Sequence, residues 1–244
     1  MNNKVAKTII AVGGGEIRLN ETFAIDEYIV KSTGKKNPKA LFIPTASGEP
    51  DGYTEAFNRV YGSELGCIVN TLKILTETPT DHEIQDMIFS ADIIYVGGGN
   101  TAKMMDAWKN RGIDNYLWQA YDKGVILSGL SAGSICWFEH GHSDSFIDET
   151  GEFSLINGLG MIPGFHCPHY NERPDFDEFM KRHSKPAIAI EDNCAVVFQN
   201  DAYKVIKSLD SANAYLIYTK NETIQKRILS NTEFQPVKSL FHLD

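Results

Sequence analysis

Short apolar segments alternate with longer amphipathic ones through the first 140 residues of the chain. The short segments are rich in Val, Ile or Leu, which is typical of buried strands, and the segments between them carry apolar residues at helical spacing. The predicted strands are Thr8–Val12, Lys39–Pro44, Cys67–Leu75, Ala91–Val96 and Val125–Ser128. The predicted helices are Glu21–Ser32, Tyr53–Leu65, Asp81–Phe89 and Thr101–Lys123, the last broken near Gly112. Such alternation predicts a mainly parallel sheet covered by helices on both faces, an α/β three-layer sandwich.

The pattern changes after Gly158. A stretch rich in Gly and Pro, Gly158–Pro174, predicts a loop, and a short helix is predicted at Asp175–Arg182. Three apolar segments without helices between them then predict an antiparallel C-terminal extension at the sheet edge: Ala187–Ile190, Ala195–Gln199 and Ala214–Tyr218. We see no repeat or linker, so we predict one domain over residues 1–244.

Composition excludes several classes of protein. The chain has 23 basic and 32 acidic residues, a net charge of −9, which argues against a nucleic-acid binder. The sequence has no apolar run of about 18 residues, so no membrane span is predicted. The apolar run Thr8–Val12 is too short for a signal peptide, and the four cysteines have no CxxC spacing. We therefore expect free thiols and a cytoplasmic protein.

The strongest motif is Gly129-Leu-Ser131-Ala-Gly133, which follows an apolar strand and opens a helix. A serine on such a sharp strand-to-helix turn projects its hydroxyl from the sheet, and the small neighbours allow the backbone to turn. The helix N-terminus also offers free N–H groups where an oxyanion would form. The motif indicates a nucleophile rather than a simple helix cap.

A second glycine-rich loop, Gly97–Thr101, also follows a strand and precedes a helix. It lacks the spacing of the nucleotide-binding loops. It is better suited to form the second wall of an oxyanion hole. A third run, Gly13–Gly15, is equally consistent with a tight turn or with a function.

A serine nucleophile needs a base and an orienting acid. His166 and His169 lie in the predicted loop, with little to separate them, and the candidate acids are Glu191, Asp192, Asp144 and Asp148. His140 and His142 follow the serine too closely to fold back onto it, and His82, His183 and His242 are expected at the surface. Because no ligand motif accompanies His140 and His142, a polar loop is predicted there rather than a metal site.

Three motifs in one order, Val96–Thr101, Gly129–Gly133 and Cys167-Pro-His-Tyr170, resemble the peptidase E family of serine dipeptidases, which includes aspartyl dipeptidases and has cyanophycinases as relatives. The resemblance implies a fold similar to the class I glutamine amidotransferases, which have Cys where this chain has Ser131. It also implies Ser131 as nucleophile and His169 as base.

The same resemblance assigns further positions. Its acid falls on Asp192, with Glu191 one residue away and Asp144 as another family position, and its oxyanion donors are the N–H groups of Gly99 and Ala132. Arg173 and Asn100 are the implied substrate-binding residues. Two departures are an Asp where aspartyl dipeptidases have Glu, and a shorter loop between His169 and Arg173.

The resulting hypothesis is a serine peptidase that hydrolyses short peptides, with dipeptides beginning in Asp as candidate substrates. It needs no cofactor or metal, and a homodimer is compatible with it. The alternatives are a cyanophycinase-like or esterase activity, and a non-catalytic protein that binds a small anion at the loop formed by Gly97–Thr101.

Overall fold

A computed structural model of the protein describes residues 5–147 and 151–241. Its first sheet has eight strands in the described residues: β1 (Thr8–Val12), β2 (Lys39–Ile43), β3 (Ile68–Thr71), β4 (Ile93–Val96), β5 (Ile126–Leu130), β10 (Cys194–Gln199), β11 (Ala202–Lys207) and β14 (Gln235–Pro236). Their spatial order is β14-β11-β10-β1-β5-β4-β2-β3. The five strands from β1 to β3 in this order are parallel, and β10, β11 and β14 extend the sheet in antiparallel fashion.

A second sheet has six strands in the same part of the chain: β6 (Phe138–Ser143), β7 (Ser154–Asn157), β8 (Ile162–Cys167), β9 (Ala187–Ile190), β12 (Ala214–Lys220) and β13 (Thr223–Leu229). Their order is β13-β12-β9-β8-β6-β7, with β6, β8 and β9 mutually parallel. The chain therefore leaves the first sheet after β5 and returns to it at β10.

The helices are α1 (Phe23–Lys31), α2 (Asp51–Phe57), a π-helical continuation at Asn58–Glu64, α3 (Asp81–Ser90), α4 (Thr101–Arg111), α5 (Ile113–Asp122), α6 (Ala132–Ile135), α7 (Phe176–Met180) and α8 (Lys238–Phe241). The predicted break near Gly112 is confirmed, since this residue adopts φ +65° between α4 and α5. None of the helices in the described ranges is long and apolar enough to cross a membrane.

Buried side chains cover both faces of the first sheet, as the apolar strands predict. On one face, Ile25 and Phe57 pack with Phe42 of β2. On the other, Trp108 and Leu117 pack in a core that also includes strand residues of the second sheet. The predicted three-layer α/β sandwich with a mainly parallel central sheet is confirmed.

Two predictions about the C-terminal half are corrected. Of the three strands expected at one sheet edge, β10 does pair antiparallel with β1, but β9 and β12 pair with each other in the second sheet. The predicted loop Gly158–Pro174 contains strand β8. Pro163 and Gly164 are tolerated there because the pairing with β6 shifts register, and Gly164 adopts φ +84°.

Candidate active site

Ser131 lies on a sharp turn between β5 and α6. Its backbone has φ +57° and ψ −115°, a strained conformation for a residue with a side chain. A Cβ at Gly129 would overlap the Gly133 carbonyl oxygen, and one at Gly133 would overlap the Val96 carbonyl oxygen. The turn therefore requires glycine at both positions.

His169 follows β8 and contacts the serine hydroxyl. Its Nε2 lies 2.9 Å from Ser131 Oγ, and its Nδ1 lies 2.6 Å from Asp192 Oδ1. The backbone N–H of His169 donates to the Gly13 carbonyl oxygen at 3.2 Å, which ties this loop to the end of β1. Serine, histidine and aspartate thus form one continuous chain of hydrogen bonds.

Asp192 lies where the chain crosses from β9 in the second sheet to β10 in the first. Asn171 holds it at two points: the Asn171 amide nitrogen donates to Asp192 Oδ2 at 2.9 Å, and the Asp192 N–H donates to Asn171 Oδ1 at 3.0 Å. Burial alone would raise the pKa of Asp192, but hydrogen bonds from His169 and Asn171 and the charges of His169 and Arg173 lower it overall. An ionised Asp192 assigns the proton to Nδ1 of His169, so Nε2 accepts from Ser131.

Gly14 packs directly against this pair. A Cβ at Gly14 would overlap both Asp192 Oδ1 and His169 Nδ1. The neighbouring backbone joins β1 to the crossover, since Asn193 N–H donates to the Gly14 carbonyl oxygen at 3.0 Å. Sequence reasoning left the run Gly13–Gly15 undecided and gave no role to Asn171, because neither shows a spacing that predicts contact with a distant His–Asp pair.

The loop after β4 lies beside the serine, since a Cβ at Gly98 would be 3.3 Å from Ser131 Cβ. Gly98 N–H donates to the Tyr53 hydroxyl at 3.3 Å. Gly99 adopts φ +136°, where a Cβ would overlap the Ala46 carbonyl oxygen. Within the described residues, no hydrogen bond occupies the N–H of Gly99 or of Ala132. Both are therefore free to donate to an oxyanion.

The other predicted site residues have different contacts. Glu191 accepts from Asn213 N–H at 2.7 Å and from the Tyr215 hydroxyl at 3.0 Å. Asp144 Oδ2 lies 3.7 Å from the Arg173 guanidinium nitrogen Nη2. Neither contacts His169, whereas Asp192 does. Asp148 and His242 lie outside the described residues.

Asn100 and Arg173, the predicted substrate-binding residues, are both engaged. Asn100 Oδ1 caps α4 by accepting from Lys103 N–H at 2.9 Å, and its amide nitrogen donates to the Ser145 carbonyl oxygen. Each bond uses one of two positions, so one amide N–H and one oxygen lone pair of Asn100 remain for a substrate. Besides pairing with Asp144, Arg173 lies over the Phe153 ring at 4.3 Å. It lines an open cavity of about 340 Å³.

The competing histidines are placed elsewhere. His166 is fully buried on β8 and contacts Ser134 rather than Ser131. His140 and His142 lie on strand β6, not in the predicted polar loop, and His142 Nε2 lies 3.3 Å from Asp175.

Three residues offer ligand atoms that lie within 4.8 Å of one another: His169, Glu172 and Asp192. An ion bound there would displace a hydrogen bond of His169, because both of its ring nitrogens are already bonded. Their donor set therefore fits a hydrogen-bonded triad better than a cation site.

Residues 9–206 match the sequence model of peptidase family S51. The chain is 33% identical over 218 residues to the uncharacterized peptidase YgaJ of Bacillus subtilis, covering 86% of this chain and 92% of that protein. Its fold resembles a crystal structure of a peptidase from an acI-B1 Actinobacterium, with TM-score 0.72, 20% identity and coverage of 96% and 98%. It also resembles a candidate peptidase E protein from Listeria monocytogenes EGD-e, with TM-score 0.64, 20% identity and coverage of 83% and 98%.

Proposed function

Since the chain belongs to peptidase family S51, we propose that it is a serine-type dipeptidase that cleaves short peptides through Ser131, His169 and Asp192. The observation that carries this proposal is the continuous hydrogen-bond chain from Ser131 Oγ through both ring nitrogens of His169 to Asp192. A nucleophile, a base and an orienting carboxylate in this geometry are the components of covalent acyl transfer.

In the proposed mechanism, Ser131 Oγ attacks the scissile carbonyl carbon while its proton passes to His169 Nε2. The tetrahedral oxyanion receives hydrogen bonds from the N–H groups of Gly99 and Ala132. His169 then donates the proton to the leaving amine, and the C–N bond breaks to give an acyl-serine ester. Water then attacks the ester while its proton passes to His169 Nε2. The C–Oγ bond breaks, His169 returns the proton to Ser131 Oγ, and the acid is released. Asp192 stays ionised and stabilises the imidazolium.

Arg173 is the group that favours substrates with an acidic first residue. Arg173 is close enough to Asp192 to lower its pKa and lines the open cavity described above together with Lys226. Asp144 already neutralises part of its charge, and Lys226 pairs with Asp177 at 2.9 Å. We therefore expect a preference for Asp over Asn at the first position that depends on Arg173.

A fluorophosphonate probe tests the nucleophile, because it reacts with activated serine hydroxyls. The wild type should be labelled at Ser131 and should hydrolyse members of a dipeptide panel, and Ser131→Ala should lose both. Ser211→Ala is the matched control, since Ser211 is an exposed serine that lines the cavity beside His169. Unlabelled, folded wild type would favour a small-anion binder instead. Activity should survive EDTA, because no step uses a metal.

The acidic preference is tested separately with Asp-Leu and its near-isosteric partner Asn-Leu. Arg173→Gln should reduce kcat/KM for Asp-Leu by about tenfold more than for Asn-Leu, the effect of one charge-assisted contact. Lys226→Gln, the other cation of that cavity, should affect both substrates equally. Equal wild-type rates on the two dipeptides would remove the acidic preference and leave the peptidase proposal intact.

A further inference from the structure

A chain of buried polar groups lies directly beneath the Ser131 turn and has no part in the mechanism above. Ser134 Oγ lies 2.7 Å from the Ser131 carbonyl oxygen and 2.7 Å from His166 Nε2, and His166 Nδ1 lies 2.8 Å from the Ile188 carbonyl oxygen. Ser134 and His166 have no exposed surface, and the His166 ring stacks on Phe138 with centroids 4.5 Å apart. Buried polar groups are costly unless bonded, so this chain has a definite geometry.

Protons can be assigned along this chain of hydrogen-bonded groups. A carbonyl oxygen only accepts, so His166 Nδ1 donates to Ile188. Burial lowers the pKa of His166 to about 3, so the ring is neutral near pH 7 and Nε2 is an acceptor. The single hydroxyl proton of Ser134 is therefore shared between Nε2 and the Ser131 carbonyl oxygen, and Oγ is held between them.

The Ser131 carbonyl belongs to the same peptide plane as the Ala132 N–H. In a trans peptide these two groups point in opposite directions, so the orientation of one determines that of the other. The Ser131 carbonyl oxygen also accepts from the N–H groups of Ser134 and Ile135, at 2.9 and 3.0 Å. Two backbone donors and the shared Ser134 hydroxyl thus contact this oxygen and set the orientation of the Ala132 N–H, and Ser134 supplies the only side chain among them in the described part of the molecule.

The hydrogen-bonded chain ends on the two strands that lead to the other members of the triad. His166 is on β8, three residues before His169, and Ile188 is on β9, four residues before Asp192. These two residues face each other in the sheet register. One set of side-chain contacts therefore connects the nucleophile turn to both strands.

We propose that Ser134 and His166 are positioning residues that hold the Ser131–Ala132 peptide plane, and with it an oxyanion donor, in a fixed position relative to the strands that lead to His169 and Asp192. The catalytic part of this inference rests on the proposed function. Removal of a whole oxyanion donor costs on the order of 10²–10³-fold in kcat. Since two backbone donors remain, loss of the Ser134 hydroxyl should lower kcat by about tenfold with KM changed less than about twofold.

Ser134→Ala tests this directly, with Ser128→Ala as the matched control. Ser128 is equally buried and its hydroxyl donates to the Ile10 carbonyl oxygen at 3.1 Å, so it loses the same kind of bond without touching the Ser131 peptide. The expected result is a kcat loss in Ser134→Ala alone, at similar melting temperatures. Equal kcat in the two variants would overturn the proposal.

A further readout separates this inference from the proposed function. The orientation of the Ala132 N–H, measured by residual dipolar couplings on ¹⁵N-labelled protein, should change in Ser134→Ala and not in Ser128→Ala. An unchanged coupling in both overturns the inference. A changed coupling in a wild-type background that neither hydrolyses peptides nor reacts with fluorophosphonate supports the positioning of the plane and overturns the proposed function.

His166 is tested through Ser134. His166→Asn should lower kcat, and the double variant Ser134→Ala/His166→Asn should be no slower than the slower single variant, because one residue acts through the other. The midpoint of the acidic limb of the kcat pH profile should stay unchanged. Additive losses, or a shifted midpoint, would show that His166 acts independently.

Discussion

The His169–Asp192 pair depends on the absence of a side chain at Gly14. Because a Cβ there would overlap atoms of both residues, Gly14→Ala should separate His169 Nδ1 from Asp192 and lower kcat by at least about 100-fold, the usual cost of a displacement near 1 Å. Gly52→Ala is the control, since a Cβ at Gly52 meets open space. Circular dichroism would show that both variants fold. Wild-type kcat in Gly14→Ala would contradict the packing argument.

The identity of the acid gives a second prediction for single residues. Asp192→Asn replaces an ionised acceptor with an amide that can donate to Nδ1 of His169, so the ring would carry its proton on the wrong nitrogen. We expect kcat to fall by on the order of 10⁴-fold. Glu191→Gln, one residue away and bonded to Asn213 and Tyr215, should change kcat by less than about fivefold. The reverse order of the two effects would move the acid to Glu191.

At the scale of elements, strand β8 carries His166, leads directly to His169 and depends on Gly164. This residue has φ +84°, and a Cβ would lie 2.5 Å from the Pro186 carbonyl oxygen. Gly160 also has a positive φ, +71°, but its Cβ would meet nothing closer than 3.8 Å. Gly164→Ala should therefore lower the free energy of unfolding by about 2–4 kcal/mol and Gly160→Ala by about 1 kcal/mol. Urea denaturation measures both, and equal losses would mean that backbone strain alone matters.

Strand β8 is also an element that the sequence does not predict. The apolar runs that end at a glycine predict β1, β4 and β5, and therefore the serine turn. Each of these runs is mainly apolar and has a clear end. The sequence does not predict β8, because Pro163 and Gly164 are both rare in strands. A register shift accommodates them in the structure. His169 was separable from His166 only by resemblance, because their contacts depend on strand pairing between residues far apart in sequence.

At the scale of the whole molecule, several buried groups have shifted pKa values, and their effects on the pH dependence of stability have opposite signs. Burial lowers the pKa of His166 to about 3 and that of His142 to about 4, against an ordinary 6.5. The unfolded chain therefore binds more protons than the native state below about pH 6.5, and these groups make stability fall as pH decreases. Asp26 does the opposite, so a stability curve of the wild type alone mixes the contributions.

Asp26 is 1% exposed and accepts hydrogen bonds from Thr22 Oγ1 at 2.8 Å and from the Tyr61 hydroxyl at 2.9 Å. Burial raises its pKa from 3.8 to about 7, although the two hydrogen bonds act in the lowering direction. Between these values the native state holds a proton that the unfolded state has lost. The contribution of Asp26 to stability is therefore complete below about pH 3.8 and lost as pH rises through about 7.

Asp26→Asn isolates this contribution, because the amide does not titrate while the histidines stay in place. The free energy of unfolding of the wild type minus that of the variant should decrease from pH 4 to pH 7 by a few kcal/mol and then level off, since each pKa unit corresponds to about 1.4 kcal/mol. Urea denaturation at pH 4, 5.5, 7 and 8.5 measures this difference. A flat difference would mean that Asp26 is ionised in the native state throughout, with Thr22 and Tyr61 offsetting its burial.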